Sequence, residues 1–307
     1  MAAMESRTLG PLSVSVVGLG CNNFGRRMDP EATSTVVNAA IDAGITLFDT
    51  ADVYGGDGLS EQYLGQALGS RRDDVVLATK FAAPMGEGKK GASPAYIREA
   101  VEDSLRRLGT DRIDLYQQHR PDPETPIADT LAALDELVQS GKVRAIGSSN
   151  FTPEMIREAA GSAVGASFVS VQNEYSLLER EPENGVLEAC SELGLGFLPF
   201  FPLASGLLTG KYRQGQQPEG ARLTGQDGNK FMSEANLAVV EALAAFVEAR
   251  DRTMTELAFS WLLTRPAVSS VIAGATKVEQ IADNVKAAGW ALSAEDLAEI
   301  DSILGSR

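Results

Sequence analysis

The 307-residue sequence predicts a (β/α)8 barrel with an N-terminal β-hairpin closing its floor, as a single domain over residues 1–307. Two patterns and one length carry that prediction. Short runs rich in β-branched and apolar residues recur along the chain, and each is followed by an amphipathic, helix-like stretch. Nothing between them resembles an inter-domain linker, and barrels of this type run to about 250 residues or more as one domain. A doubly wound parallel sheet uses the same alternation and is the competing architecture.

Taken in chain order, Arg7–Leu12 with its Gly10-Pro11 turn reads as the hairpin. The barrel strands are expected at Val14–Leu19, Thr46–Asp49, Val75–Thr79, Ile113–Gln118, Val143–Gly147, Phe168–Gln172, Gly196–Phe200 and Ser269–Ile272. Continuous apolar runs of that length suit parallel strands buried on both faces. Asp29-Pro30 opens a helix whose apolar stripe is Val36, Val37, Ala40 and Ile41, and Ala43-Gly44 closes it. Ser93-Pro94 opens another, striped by Ile97, Val101, Leu105 and Leu108 and stopped by Gly109. Thr125-Pro126, ahead of Leu131, Leu134, Leu137 and Val138, starts a helix that ends near Gly141, and Thr152-Pro153 repeats the starting signal. Lys211 to Asn229, polar and Gly-rich after the seventh strand, reads as a lid over the mouth.

Composition narrows the function classes. The chain is 44% hydrophobic and 22% charged, an ordinary globular balance. Its 42 acidic against 27 basic residues give a net charge of −15, which repels nucleic-acid backbones and anionic lipid. Leu193 to Gly210 carries no charge, but Pro199, Pro202 and its glycines punctuate it as strand, turn and loop rather than a membrane span. No signal peptide is legible, and two cysteines without ligand spacing, Cys21 and Cys190, point to a reduced, cytoplasmic setting and to no metal. A monomer is favoured.

Two glycine motifs fail on inspection. Gly18-Leu-Gly20-Cys-Asn-Asn23 follows a strand, but the dinucleotide fingerprint needs glycine where Asn23 stands. Gly206-Leu-Leu-Thr-Gly210-Lys211 is one residue short of a phosphate loop and lacks the Ser or Thr after lysine. Residues at the strand ends are more informative. Asp49, Lys80 and His119 end the second, third and fourth strands, and Tyr54 follows Asp49 in one loop. In a parallel barrel these ends converge on one mouth, and His119 is the chain's single histidine. Each has a bland reading alone, as a cap, a solvated end or a packing aromatic; the constellation does not.

These residues sit in a set of motifs: Asp49-Thr-Ala-Asp-Val-Tyr54-Gly, Thr79-Lys80-Phe81, Gln118-His119-Arg-Pro-Asp, Gly147-Ser-Ser-Asn150-Phe, Val171-Gln172-Asn-Glu-Tyr and Pro202-Leu-Ala-Ser-Gly206-Leu-Leu-Thr-Gly-Lys211-Tyr. With them the chain resembles the aldo-keto reductases over nearly its whole length. The resemblance implies reversible reduction of aldehydes or ketones by NADPH, with Asp49, Tyr54, Lys80 and His119 as the catalytic tetrad. Tyr54 would be the general acid, with Lys80 lowering its pKa from about 10. Asp49 would keep Lys80 charged, and His119 would orient the carbonyl.

By the same resemblance Ser149, Asn150 and Gln172 would meet the nicotinamide, on which Phe200 would stack, and Gly20 would belong to the same cofactor site. Leu203, Ser205, Gly206, Leu207 and Lys211 would hold the pyrophosphate. Gly274, Thr276, Lys277, Gln280 and Asn284 would hold the adenosine end, where many NADPH-preferring relatives carry arginine in place of Gln280. In the matching segment Phe200-Phe201-Pro202-Leu203, Phe201 replaces a usual serine. Asn22, Asn23, Phe24, Met85 and Arg120 are expected to wall the substrate, a small-molecule carbonyl compound. A regulatory subunit resembling the potassium-channel β subunits is the alternative.

Overall fold

The computed structural model describes residues 4–212 and 231–305. Two strands, β1 (Ser6–Leu9) and β2 (Leu12–Ser15), form an antiparallel hairpin. Eight more follow: β3 (Val17–Gly20), β4 (Leu47–Asp49), β5 (Val76–Phe81), β6 (Ile113–Gln118), β7 (Val143–Ser149), β8 (Phe168–Gln172), β9 (Gly196–Phe197) and β10 (Val271–Gly274). They pair in parallel in the order β10-β3-β4-β5-β6-β7-β8-β9. The ends of that row meet. Phe197 N donates to Ala267 O at 2.6 Å, Ser269 N to Phe197 O at 2.9 Å and Ile272 N to Pro199 O at 3.2 Å. The sheet therefore closes on itself as a (β/α)8 barrel, which a doubly wound sheet does not do.

The helices are α1 (Pro30–Asp42), α2 (Leu59–Leu68), α3 (Pro94–Leu108), α4 (Ile127–Gln139), α5 (Pro153–Ser162), α6 (Val186–Leu193), α7 (Glu234–Glu248), α8 (Met254–Leu263), α9 (Val278–Ala287) and α10 (Ala294–Leu304). Their starts follow the expected chemistry. Asp29, Ser93 and Thr152 each accept a backbone N–H as N-caps, with proline in the first turn. The fourth helix departs from expectation. Pro126 is its N-cap, and the Thr125 hydroxyl instead donates to Asp122 at 2.8 Å.

Six of the eight expected barrel strands have different bounds, two of them for a visible local reason. The expected run from Val14 to Leu19 breaks at Ser15, whose N–H donates to Thr46 Oγ1 at 2.8 Å, so its first part belongs to the hairpin and its second to the barrel. Strand β9 stops at Phe197, two residues before Pro199, which has no N–H for the ladder. Strand β10 starts at Val271, and Ser269 before it still donates its N–H to Phe197 O at 2.9 Å while its hydroxyl donates to Thr8 O at 3.0 Å.

The barrel interior is a small apolar cluster of Leu47, Val76, Ala78, Leu115, Ala145, Leu198 and Ile272, and the hairpin plugs it from below with Leu9, Leu12 and Val14. Arg7 fastens the plug, donating to Val268 O at 2.6 Å and Leu263 O at 3.1 Å. The hairpin turn needs Gly10, at φ +57°, because an added Cβ would lie 2.5 Å from Val169 Cγ1. Among the described residues no helix is long and apolar enough to cross a membrane. The segment expected to act as a lid lies outside the described residues from residue 213 onward.

Leu9 is fully buried at the centre of the plug. We expect Leu9→Ala to lower unfolding stability by about 2–5 kcal/mol, the range for emptying a tight leucine site. Urea denaturation measures it, and a loss below about 1 kcal/mol would mean that the hairpin does not fill the barrel floor.

Candidate active site

Strand alternation builds the site. On β4, β5, β6 and β8 the inward positions change from apolar to polar toward the C-terminal end, where Asp49, Lys80, Gln117 and Gln172 come together, all buried. Lys80 and Gln117 are directly paired in the sheet register. The Lys80 ammonium donates to Asp49 Oδ2 at 2.6 Å and to Thr50 O at 2.8 Å. The other Asp49 oxygen accepts from Gln117 Nε2 at 3.1 Å and from Gln172 Nε2 at 3.0 Å. The pair is thus held by residues of β4, β5, β6 and β8, with both ammonium contacts at the end of β4.

Tyr54 sits above the ammonium, with Lys80 Nζ 5.1 Å from its ring centroid. His119 meets the same ring edge-on, at 5.6 Å between centroids and 84° between planes. All four residues expected to form the tetrad are therefore brought together. Burial pushes the Tyr54 phenol up, Lys80 pulls it down, and the net direction is upward. Lys80 thus acts in the expected direction, and desolvation of the buried phenol outweighs it. Burial likewise pulls the Lys80 ammonium down, but Asp49 and Tyr54 raise it more, so it stays charged. His119 is lowered to about 3 by burial, Lys80 and Arg120, and is neutral at any ordinary pH. Its Nδ1 is buried without a hydrogen-bond partner.

A cavity of about 570 Å³ opens over these residues and is lined by Asp49, Tyr54 and His119. Of the residues expected to hold a cofactor, Gly20, Ser149, Asn150, Gln172, Phe200, Leu203, Ser205, Gly206, Lys211, Gly274, Thr276 and Gln280 line it as well. Leu207, Lys277 and Asn284 do not. Leu207 and Asn284 are buried beneath the wall, and Lys277 is exposed. The Gln280 side chain folds back over the start of α9, its Oε1 accepting from Thr276 N at 2.8 Å and Lys277 N at 3.2 Å. Asn150, at φ +62°, donates from Nδ2 to His119 O and to Ser149 Oγ, both at 3.0 Å.

The expected substrate wall is only partly correct. Asn22, Asn23 and Arg120 line the cavity. Phe24 does not, because it is fully buried in the layer between strands and helices. Met85 belongs to a second, smaller cavity of about 180 Å³ beside Asp52, Lys89, Tyr96 and Arg107. Sequence reasoning missed Cys21 and Arg27, which line the main cavity, together with Gln117 and Asn173 beneath it. Gln117 is level with Lys80 only once the sheet register is known. Asn173, whose Oδ1 accepts from Asn150 N at 2.8 Å, gives no signal in the sequence. Burial drives the Cys21 thiol well above its ordinary value, so it stands in the cavity as a neutral group. Among the described residues no group of His, Cys, Asp and Glu is placed to hold a metal ion.

Comparison with known proteins adds the following. The Aldo/keto reductase family model matches residues 16–305. The chain is 37% identical over 292 residues to an uncharacterized oxidoreductase, YqkF, of Bacillus subtilis (strain 168), covering 93% of this chain and 91% of the relative. It is 36% identical over 299 residues to a probable voltage-gated potassium channel subunit beta of Oryza sativa subsp. japonica, covering 92% and 91%. It is 35% identical over 309 residues to an L-glyceraldehyde 3-phosphate reductase of Escherichia coli O157:H7, covering 94% and 89%.

One buried group in the loop that carries Tyr54 lacks support. Asp52 is 2% exposed and neither carboxylate oxygen has a hydrogen-bond partner. Burial and the neighbouring Glu61 carboxylate raise it to about 7. The folded chain holds this proton up to about pH 7 while the unfolded chain releases it near pH 4. The unfolded state therefore binds fewer protons in that window, and stability falls as pH rises through it. We expect Asp52→Asn to flatten this dependence and to be the more stable form at pH 8, by at most roughly 4 kcal/mol. Urea midpoints of both proteins at pH 5 and pH 8 decide it, and parallel shifts in the two would refute the assignment.

Proposed function

The chain belongs to the aldo/keto reductase family, and on that premise we propose that it reduces aldehydes or ketones to alcohols with NADPH. One observation carries the reading: a fully buried lysine, paired to a single carboxylate, lies beneath a phenol and a neutral imidazole that face one open cavity. A charged ammonium is costly to bury and is retained where its charge is used.

Each residue has a task in this chemistry. Tyr54 holds its proton across the neutral range and gives it to the carbonyl oxygen as negative charge builds there. Lys80 stabilises the phenolate that remains, and Asp49, fixed by Gln117 and Gln172, keeps Lys80 charged and aimed. His119 donates from Nε2 to the same oxygen. That tautomer leaves Nδ1 a bare acceptor rather than a stranded donor, which suits its lack of a partner. Because His119 is neutral down to about pH 3, its protonation does not limit turnover at ordinary pH.

The nicotinamide, when bound, supplies the hydride. The residues present fit such a cofactor. Asn150 and Gln172 spend their N–H donors inside the site, on His119 O, Ser149 Oγ and Asp49, which leaves their carbonyl oxygens to accept from a carboxamide. Phe200 offers a ring on the cavity wall for stacking. Ala204, Ser205 and Gly206 are successive left-handed residues, at φ +45°, +57° and +100°; Ala204 N and Gly206 N donate within this turn, to Phe201 O and Leu203 O at 2.8 Å, and the Lys211 ammonium beside Gly206 offers the cation for a pyrophosphate. At the other end Gln280 occupies the donors of Thr276 and Lys277, so a 2′-phosphate has to displace its side chain.

The potassium-channel relatives share this fold's sequence, and a regulatory role would show as very slow turnover. Loss of NADPH absorbance with a panel of aldehydes separates the two readings. We expect Tyr54→Phe to cut kcat by about 10² to 10⁴ with NADPH affinity nearly intact; retention of more than half the wild-type kcat would refute the assignment. We further expect NADPH to bind more tightly than NADH, and Lys277→Ala to narrow the gap. Fluorescence titration of both cofactors tests this, and equal dissociation constants in the wild type would remove Lys277 from the site.

A further inference from the structure

Among the described residues most arginines are paired with a carboxylate. Arg71 pairs with Asp42, Arg98 with Glu136, Arg107 with Glu61, Arg157 with Glu192 and Arg250 with Asp296, at 2.6–2.9 Å. That is the expected outcome for a surface with 42 acidic and 27 basic residues, where each cation has carboxylates within reach. Among the described residues, Arg26, Arg27 and Arg120 have no such partner, and two of these three, Arg27 and Arg120, line the cavity over Tyr54 and His119. Their backbones are fixed: Arg27 N donates to Asn23 O at 2.9 Å, and Arg120 O accepts from Gln118 Nε2 at 3.1 Å. Their guanidinium groups are exposed and uncommitted.

From this placement we infer that the substrate is a carbonyl compound carrying an anionic group, a carboxylate or a phosphate, gripped by Arg120 with Arg27 lining the same cavity. The inference deepens the reductase reading and rests on it for the carbonyl. Arg120 directly follows His119, and its charge is one of those that keep the imidazole neutral. Arg120 and His119 follow one another at the end of β6 and line the same cavity. Guanidinium forks match carboxylate and phosphate oxygens two at a time, and a net charge of −15 would otherwise repel such a substrate. Local cations at the mouth reverse that field where it matters.

The test compares matched pairs on the NADPH-loaded protein. 4-Carboxybenzaldehyde is set against 4-methylbenzaldehyde, and glycolaldehyde phosphate against glycolaldehyde; the stronger preference of the two pairs tells carboxylate from phosphate. We expect kcat/KM to favour the charged member of at least one pair by about tenfold or more, the size of one charge-assisted hydrogen bond. Arg120→Ala should bring that ratio down by a similar factor, Arg27→Ala should lower it too, and added salt should erode it because both groups are exposed. A wild-type ratio near one, or a ratio untouched by Arg120→Ala, would overturn the inference. A loss confined to NADPH affinity in Arg27→Ala would assign that residue to the cofactor and remove it from the grip.

A binding measurement separates this inference from the reductase reading. The dissociation constants of 4-(hydroxymethyl)benzoate and 4-methylbenzyl alcohol, taken by calorimetry, need no turnover. Arg120-dependent preference for the benzoate without reduction of any aldehyde would leave the anion site standing and defeat the reductase reading. Reduction of the aldehydes without that preference would do the reverse.

Discussion

The ion pair between Lys80 and Asp49 is the constraint on which the mouth of the barrel depends. Each charge costs several kcal/mol to remove from water, and the attraction offsets that only where geometry is good and the remaining polar positions are met. Both conditions hold. The ammonium has Asp49 at 2.6 Å and Thr50 O at 2.8 Å, and the second carboxylate oxygen has Gln117 and Gln172 at 3.1 and 3.0 Å. Strands β4, β5, β6 and β8 must all hold register for this to work. An apolar pair of similar volume would serve stability as well, so stability does not explain the pair. In the proposed reduction, Tyr54 above it does.

The same pair explains which parts of the site were legible in the sequence. Asp49, Lys80 and His119 stood out because charged residues end runs that are otherwise apolar, and a parallel barrel gathers such ends. Helix starts were legible for a similar reason, since Ser, Thr or Asp before proline has one strong local meaning. Residues whose role depends on the far side of the barrel were not. Gln117 looks like any strand glutamine until its register beside Lys80 is known. Phe24 and Met85 were placed on the substrate wall by loop membership alone, which does not fix side-chain direction: one turns into the helix layer, the other toward a neighbouring cavity. Lys277 and Asn284 were read from a helix start, but the Gln280 side chain covers that start and Asn284 lies below it.

Backbone strain is sorted to the same end of the barrel. Apart from Asp251, the described non-glycine residues with positive φ are Asp57, Ala82, Asn150, Phe201, Ala204 and Ser205. All of them lie in loops that follow the C-terminal ends of strands β4, β5, β7 and β9. Such conformations cost of order 1–3 kcal/mol each and persist only when surrounding contacts over-determine them. For Asn150 those contacts are visible in its bonds to Asn173, His119 and Ser149. The strained backbone is what turns its amide toward the cavity.

Stability and chemistry are thus built at opposite ends of one sheet. The hairpin end is apolar, tightly filled by Leu9, Leu12 and Val14, and fastened by Arg7 to backbone carbonyls. The open end carries a buried ion pair, strained loops and, in Asp52, a carboxylate with no hydrogen-bond partner. Asp52 lies two residues from Tyr54, and its own backbone is tied down, Asp52 N donating to Lys80 O at 3.1 Å. That bond joins the Tyr54 loop to the strand that carries the ammonium. The loop's position is therefore set by the backbone of the residue whose side chain is worst accommodated. The mismatch at the mouth is local, and the apolar plug at the other end of the sheet does not depend on the charge state above it.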